Sequence, residues 1–100
     1  KAICCVRGGY GCARILSFLD YDVIRQNPKP FVGFSDITAL LLAFLHKARL
    51  SSFHGPMVGS LTGLEEGDYS LVQVQNALSG KHRGSILKQY PGELKIQCPV

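Results

Sequence analysis

The sequence predicts an α/β fold in which parallel strands alternate with helices. Short apolar, β-prone runs recur along the first half of the chain, and segments with the 3.6-residue periodicity of a helix separate them. Glycine and proline clusters mark the ends of the runs. Strands and helices that alternate at this spacing favour right-handed β-α-β crossovers, and therefore a parallel sheet.

The first unit is predicted to be a strand, a glycine loop and a helix. Residues 2–6 form the strand, the Arg-Gly-Gly-Tyr-Gly segment at 7–11 forms the loop, and residues 12–19 have helical spacing. Residues 20–30 are expected to hold a turn, because prolines at positions 28 and 30 exclude helix both at themselves and just before.

The second unit begins with a strand at residues 31–34, which is apolar on both faces as central parallel strands are. From Asp36 to Ala48, apolar residues recur at i, i+3, i+4, i+7 and i+8, which predicts a helix packed between the sheet and another layer. Residues 50–54 are the third predicted strand, and Gly55 and Pro56 close it.

The remaining segments are less regular. Residues 59–67 are expected to be a loop, and Asp68 is a predicted N-cap for a helix that runs to Leu78 and stops at Gly80. Residues 84–90 and 93–98 flank a Pro-Gly pair, which indicates a hairpin or a passage to another domain.

Composition narrows the function classes. One hundred residues, 46% of them hydrophobic, make one small domain or part of a larger one. The net charge of +4 comes from scattered basic residues, which disfavours a nucleic-acid surface.

Four cysteines, at positions 4, 5, 12 and 98, form no C-x-x-C pair, which disfavours zinc and favours reduced intracellular thiols. The longest apolar run is too short to span a bilayer, and no signal-peptide pattern is present.

Ser35 is the candidate nucleophile, because it stands where a strand ends and a helix begins. At such a junction the hydroxyl projects beyond the sheet, and amides of the next turn point back at it. Gly33, two residues earlier, suits a tight strand-to-helix turn. The alternative is a structural role, in which Ser35 is only a helix N-cap.

The loops after the three predicted strands should share one edge of the sheet. Amides of the glycine loop and of Asp36 could then form a two-donor oxyanion hole. Phosphate binding by the glycine loop is a weaker alternative, since the loop is not G-x-G-x-x-G. Of the three histidines, at positions 46, 54 and 82, only His54 is predicted at this edge, where a base, a site-lining residue or a core histidine all remain open.

Several segments of the first 60 residues resemble the LD-carboxypeptidase family of serine peptidases, which includes muramoyl-tetrapeptide carboxypeptidases and microcin self-immunity peptidases. The segments are Cys5-Val6-Arg7-Gly8-Gly9-Tyr10-Gly11, Leu19-Asp20-Tyr21-Asp22, Asn27-Pro28-Lys29, Gly33-Phe34-Ser35-Asp36-Ile37-Thr38-Ala39-Leu40 and Phe53-His54-Gly55-Pro56. They follow one another in the family's order and spacing. The resemblance implies a parallel-sheet, three-layer N-terminal domain of which this chain is a part.

The resemblance also implies an activity and site residues. Such enzymes are cytoplasmic, commonly homodimeric and free of metal or cofactor, and they release a terminal D-amino acid from recycled murein peptides. Ser35 would be the nucleophile, and the backbone amide of Asp36 would be one oxyanion donor. Gly9 is the first choice for the second donor and Gly8 the alternative. Arg7, Gly8 and His54 are candidate substrate-binding residues.

The resemblance leaves the triad incomplete within this sequence. The family's Glu and His come from a C-terminal domain, and His54, Glu65 and Glu66 do not match them. Residues 1–90 are therefore expected to be part of the nucleophile-bearing domain, and residues 91–100 the start of the connection to the C-terminal domain. About 70 residues are expected before Lys1, and the 100 residues alone are expected to be inactive.

Overall fold

The computed structural model describes residues 1–81 and confirms the α/β fold with a parallel sheet. Three short strands, β1 (Ile3–Cys4), β2 (Phe31–Gly33) and β3 (Phe53–His54), lie in the order β1-β2-β3. In the β1 and β2 pair Ile3 lies opposite Phe31, and in the β2 and β3 pair Gly33 lies opposite His54. The central position of β2 explains why it is apolar on both faces.

Five α-helices surround the sheet in the described part of the chain. They are α1 (Cys12–Ile15), α2 (Tyr21–Gln26), α3 (Thr38–Ala43), α4 (Val58–Leu61) and α5 (Tyr69–Leu78). A 3-10 turn, Leu16–Phe18, continues α1. The long helix predicted from Asp36 to Ala48 is confirmed in position, but only its middle part, α3, is α-helical. A 3-10 turn, Ser35–Ile37, precedes α3, and a π-helical turn, Phe44–Ala48, follows it.

Two segments predicted to lack helix each contain a short one, while residues 27–30 and 62–67 are non-helical as predicted. Residues 20–30 contain α2, which begins because a carboxylate oxygen of Asp20 accepts hydrogen bonds from the amides of Asp22 and Val23, both at 3.0 Å. The prolines end this helix but leave room for it before them. In the predicted loop at 59–67, α4 occupies the first turn, after Met57 buries its side chain in the core. The helix after Asp68 is confirmed, and Asp68 caps it.

The two faces of β2 pack against different helices. Phe31 packs edge to face on Phe44, and Gly33 lies against Ile37, so this face meets α3 and its flanking turns. The buried core on this side contains Cys12, Ile37, Leu40, Leu41, Phe44 and Met57. Val32, only 2% exposed, points the other way and lines a cavity of about 460 Å³ below α5. The described residues thus form three layers, as expected.

Residues 82–100 lie outside the described part of the chain, and so do the predicted hairpin, His82, Cys98 and the interdomain connection at 91–100. Within residues 1–81, no helix is both long enough and apolar enough to cross a bilayer.

Candidate active site

Ser35 has a backbone conformation that is rare for a residue with a side chain. Phe34 before it is fully extended, and Ser35 itself turns to a φ of +59°. A residue held in this left-handed region costs of order 1–3 kcal/mol and persists only where its surroundings impose it. Because the chain reverses so sharply here, the exposed Ser35 side chain stands at the tip of the turn between β2 and α3.

The Ser35 hydroxyl is not used as a helix cap. Ser35 is the first residue of the 3-10 turn, and Phe34 occupies the N-cap position. Among residues 1–81, no hydrogen bond involves the Ser35 hydroxyl. The geometry therefore lacks the interaction on which a purely structural role for this serine would depend.

Gly33 lets the first turn of the helix pack directly on β2. A Cβ at position 33 would lie 2.5 Å from Cγ2 and 3.0 Å from Cβ of Ile37. Ile37 is 8% exposed and belongs to the core, so it has little room to move away. The absence of a side chain at Gly33 is what allows the turn that carries Ser35 to be this tight.

Gly8 brings the glycine loop into contact with Ser35. A Cβ at position 8 would lie 3.3 Å from Cβ and 3.5 Å from Oγ of Ser35, and 3.7 Å from the backbone nitrogen of Asp36. A Cβ at Gly9 would lie 3.9 Å from the Asp36 carboxylate. The predicted meeting of the first two loops is confirmed, with Gly8 the nearer of the two glycines to Ser35.

The Asp36 carboxylate holds the glycine loop, a role that the sequence did not indicate. Its Oδ2 atom accepts hydrogen bonds from the amides of Gly11 and Cys12, each at 3.0 Å. Hydrogen bonds from Cys12, followed by that from the Gly11 amide, hold the pKa of Asp36 below its usual range. An acid directly after the candidate serine was visible, but nothing local showed what it would bind.

Cys12 is buried at the base of this loop. Burial raises the pKa of its thiol to about 11, and hydrogen bonding to the Asp36 carboxylate and the negative charge there add to the shift. Cys12 is therefore a neutral core residue at physiological pH. No group of three or more side chains within residues 1–81 is arranged to hold a metal ion.

The loop after β3 joins the same edge of the sheet. The Gly55 amide donates to the Gly33 carbonyl at 3.1 Å, and the amides of Val58 and Gly59 donate to the carbonyls of Cys5 and Val6 at 2.9 Å. This last pair of contacts ties the start of α4 to the end of β1. The predicted convergence of the three loops is thus confirmed, although the part played by Gly59 was not foreseen.

The structure places the other candidates around this edge. His54 is exposed, and its ring lies 6.4 Å from that of Phe34, the residue before Ser35. Arg7 is exposed next to Gly8 and makes no hydrogen bond or ion pair within residues 1–81. His46 lies in the π-helical turn at the other end of the long helix.

Comparison with known proteins identifies the family. Residues 1–55 match the LD-carboxypeptidase N-terminal domain, Peptidase_S66. The chain belongs to the LD-carboxypeptidase family. The expected family resemblance is thus confirmed over the segment that contains both the glycine loop and Ser35.

Several proteins are similar to this chain over half to two thirds of its length. The chain is 44% identical over 66 residues to a probable murein peptide carboxypeptidase of Bacillus subtilis, covering 66% of this chain and 21% of that protein. It is 46% identical over 61 residues to the murein tetrapeptide carboxypeptidase of Pseudomonas aeruginosa, covering 60% and 20%. It is 49% identical over 49 residues to the microcin C7 self-immunity protein MccF of Escherichia coli, covering 49% and 14%.

The chain is also similar to a solved structure. The crystal structure of an MccF-like protein from Bacillus anthracis matches with a TM-score of 0.72 at 44% identity, over 78% of this chain and 24% of that one. This match supports the α/β fold described above. The chain spans about a fifth of the length of the carboxypeptidases it matches and about a quarter of this structure.

Proposed function

We propose that Ser35 is the nucleophile of a serine carboxypeptidase that hydrolyses the L,D-peptide bond of murein tetrapeptide and releases its terminal D-amino acid. The observation that carries the proposal is the conformation of Ser35: φ is +59°, the side chain is exposed, and Gly8 and the Asp36 amide adjoin it. Two carboxypeptidases named for murein peptides are 44% and 46% identical to this chain, over 66 and 61 residues.

The reaction that fits this geometry is acyl transfer. Ser35 Oγ forms a bond to the carbonyl carbon of the scissile bond, while its proton passes to a histidine. The amide of Asp36 and an amide of the glycine loop, Gly9 with Gly8 as the alternative, donate to the oxyanion, each worth about 3 kcal/mol. Cleavage of the C–N bond sends the proton to the leaving D-amino acid, and water then hydrolyses the acyl-enzyme.

The remaining groups are assigned by the same hypothesis. The histidine and the glutamate that orients it lie in a part of the full-length protein outside these residues, and residues 1–90 belong to the domain that carries the nucleophile. Arg7, next to the glycine loop and free of other partners within residues 1–81, is a candidate anchor for an anionic group of the substrate. His54 lines the site beside Phe34. The proposal further holds that the protein is a cytoplasmic homodimer.

A second candidate function is peptidase activity of the immunity type, on a peptide linked to a nucleotide. It is favoured by the 49% identity to the microcin C7 self-immunity protein and by the structural match to an MccF-like protein. The same Ser35 chemistry serves both candidates, so only the substrate separates them. A third possibility, a binding module without catalysis, leaves the strained conformation of Ser35 without a purpose.

The test uses the full-length protein and measures release of D-alanine from murein tetrapeptide. Ser35→Ala should abolish release, because no other residue can take over the bond to carbon. Ser17→Ala is the matched control, since Ser17 is equally an exposed serine in a 3-10 turn, away from the β2 edge. Unchanged release by Ser35→Ala would contradict the proposal, and cleavage of a nucleotide-linked peptide in place of murein tetrapeptide would select the second candidate. Residues 1–100 alone should release no D-alanine.

A further inference from the structure

Asp36 connects the two halves of the proposed oxyanion hole. Its backbone amide adjoins Ser35, and its carboxylate reaches 24 and 25 residues back along the chain to the amides of Cys12 and Gly11. Within residues 1–81, every hydrogen bond that joins residues 8–12 to residues 33–37 ends on this carboxylate: the two from the amides and that of the Cys12 thiol. The buried Cys12 side chain and the Gly59 contact to the Val6 carbonyl hold the two ends of the glycine loop, whereas Gly8 and Gly9 between them offer no side chains to pack.

We propose that the Asp36 carboxylate is a positioning group for catalysis, which fixes the glycine loop so that its amide and the Asp36 amide face the same oxyanion. This inference rests on the function proposed above and adds a role for a side chain that the reaction itself does not touch. An amide on a loop free to move would spend part of its time away from the oxyanion. A misplacement of about 1 Å at such a position costs about a hundredfold in rate.

The geometry makes the effect separable from charge. Both hydrogen bonds end on one oxygen, Oδ2, so the side-chain carbonyl of an asparagine could accept both without a negative charge. Asp36→Asn therefore keeps the acceptor, and Asp36→Ala removes it. The backbone amide of residue 36 stays in place in both variants.

The chain contains a matched control at Asp20. One oxygen of its carboxylate also accepts two backbone amides at 3.0 Å, from Asp22 and Val23, at the start of α2. Asp20→Ala thus removes the same number of hydrogen bonds from backbone amides, at a helix start that does not adjoin Ser35. A purely structural loss at Asp36 should resemble the loss at Asp20.

The experiment measures kcat and KM for D-alanine release by the full-length protein, together with hydrogen exchange of the peptide that covers residues 7–12. In Asp36→Ala, we expect kcat to fall about tenfold or more, KM to change little, and loop exchange to accelerate, because the oxyanion contact forms only in the transition state. Asp36→Asn should lose less on both measures. Asp20→Ala should match wild type in kcat once the folded fraction is taken into account.

The outcomes separate this inference from the proposed function. If Ser35→Ala abolishes release while Asp36→Ala keeps the kcat of Asp20→Ala, the positioning role is wrong and the nucleophile stands. If Asp36→Ala does not fold, Asp36→Asn decides. The positioning role is supported if kcat and loop exchange both change, or if both keep their wild-type values. Faster loop exchange with wild-type kcat, or lost kcat with unchanged exchange, overturns it.

Discussion

Substitution of Gly8 by alanine probes the space in front of Ser35. The added Cβ would lie 3.5 Å from Ser35 Oγ and 3.7 Å from the Asp36 nitrogen, in van der Waals contact with both. A carbonyl carbon poised for attack must come within about 3.5 Å of the hydroxyl, and its oxygen within about 3.1 Å of the amide. If the substrate carbonyl enters between Gly8 and Ser35, as the proposed oxyanion hole requires, the methyl group and the carbonyl compete for the same volume.

The magnitude depends on how far the methyl group displaces the substrate. Two carbon atoms in contact stay about 3.5–4.0 Å apart, and we take a displacement of roughly 1 Å. Such a shift costs about a hundredfold, and we expect kcat/KM of Gly8→Ala to fall by that factor. The fold should survive, because the tightest new contact, 3.3 Å to Ser35 Cβ, requires a movement of only a few tenths of an ångström.

The assay is D-alanine release by the full-length protein, with Gly11→Ala as the control. Gly11 lies in the same loop, and a Cβ there meets no atom within 4 Å, so the same substitution should leave kcat/KM within about twofold of wild type. Wild-type kcat/KM in Gly8→Ala would refute the reasoning, since a methyl group at this position could not then face the reacting carbonyl.

Two further predictions concern the packing beneath the site. Gly33→Ala should destabilise the protein by about 1–3 kcal/mol, because the new Cβ would overlap Ile37 at 2.5 Å. Gly55→Ala should cost far less, since a Cβ there has its nearest contact 3.7 Å away, at Val32. Equal midpoints in denaturant unfolding of the two variants would contradict this prediction. Cys12 should react with iodoacetamide at pH 7.5 much more slowly than the exposed Cys4, because its thiol is buried and its pKa is raised to about 11. Peptide mass spectrometry follows both labelling rates. Equal rates would show that Cys12 is not the buried neutral thiol described.

Local pattern was enough for much of the fold. The apolar run at 31–34 and the periodic spacing from Asp36 predicted β2 and the long helix, because both elements bury the residues that define their pattern. The prolines at 28 and 30 predict a turn in the segment that holds α2, although Asp20 carries an N-cap signal just before the helix. The strands are shorter than predicted, because the parallel register pairs only two or three residues of each run.

The site was predictable where it depended on adjacent residues and unpredictable where it depended on distant ones. A serine between a strand and a helix, with Gly33 before it, indicated the sharp turn that the structure has at Ser35. The Asp36 carboxylate instead binds amides more than 20 residues away, and Gly59 docks on the Val6 carbonyl across the sheet edge. Neither contact leaves a local trace in the sequence, because the groups that the Asp36 carboxylate and the Gly59 amide bind are backbone groups, which every sequence carries.

Covalent labelling of the full-length protein with a fluorophosphonate tests the central claim most directly. The reagent forms a stable bond with an activated serine, and peptide mapping by mass spectrometry identifies the serine that carries it. The proposal predicts stoichiometric modification of Ser35, with D-alanine release lost in proportion and no labelling in Ser35→Ala. Loss of release with the label on another serine and Ser35 unmodified would contradict the assignment of Ser35 as the nucleophile.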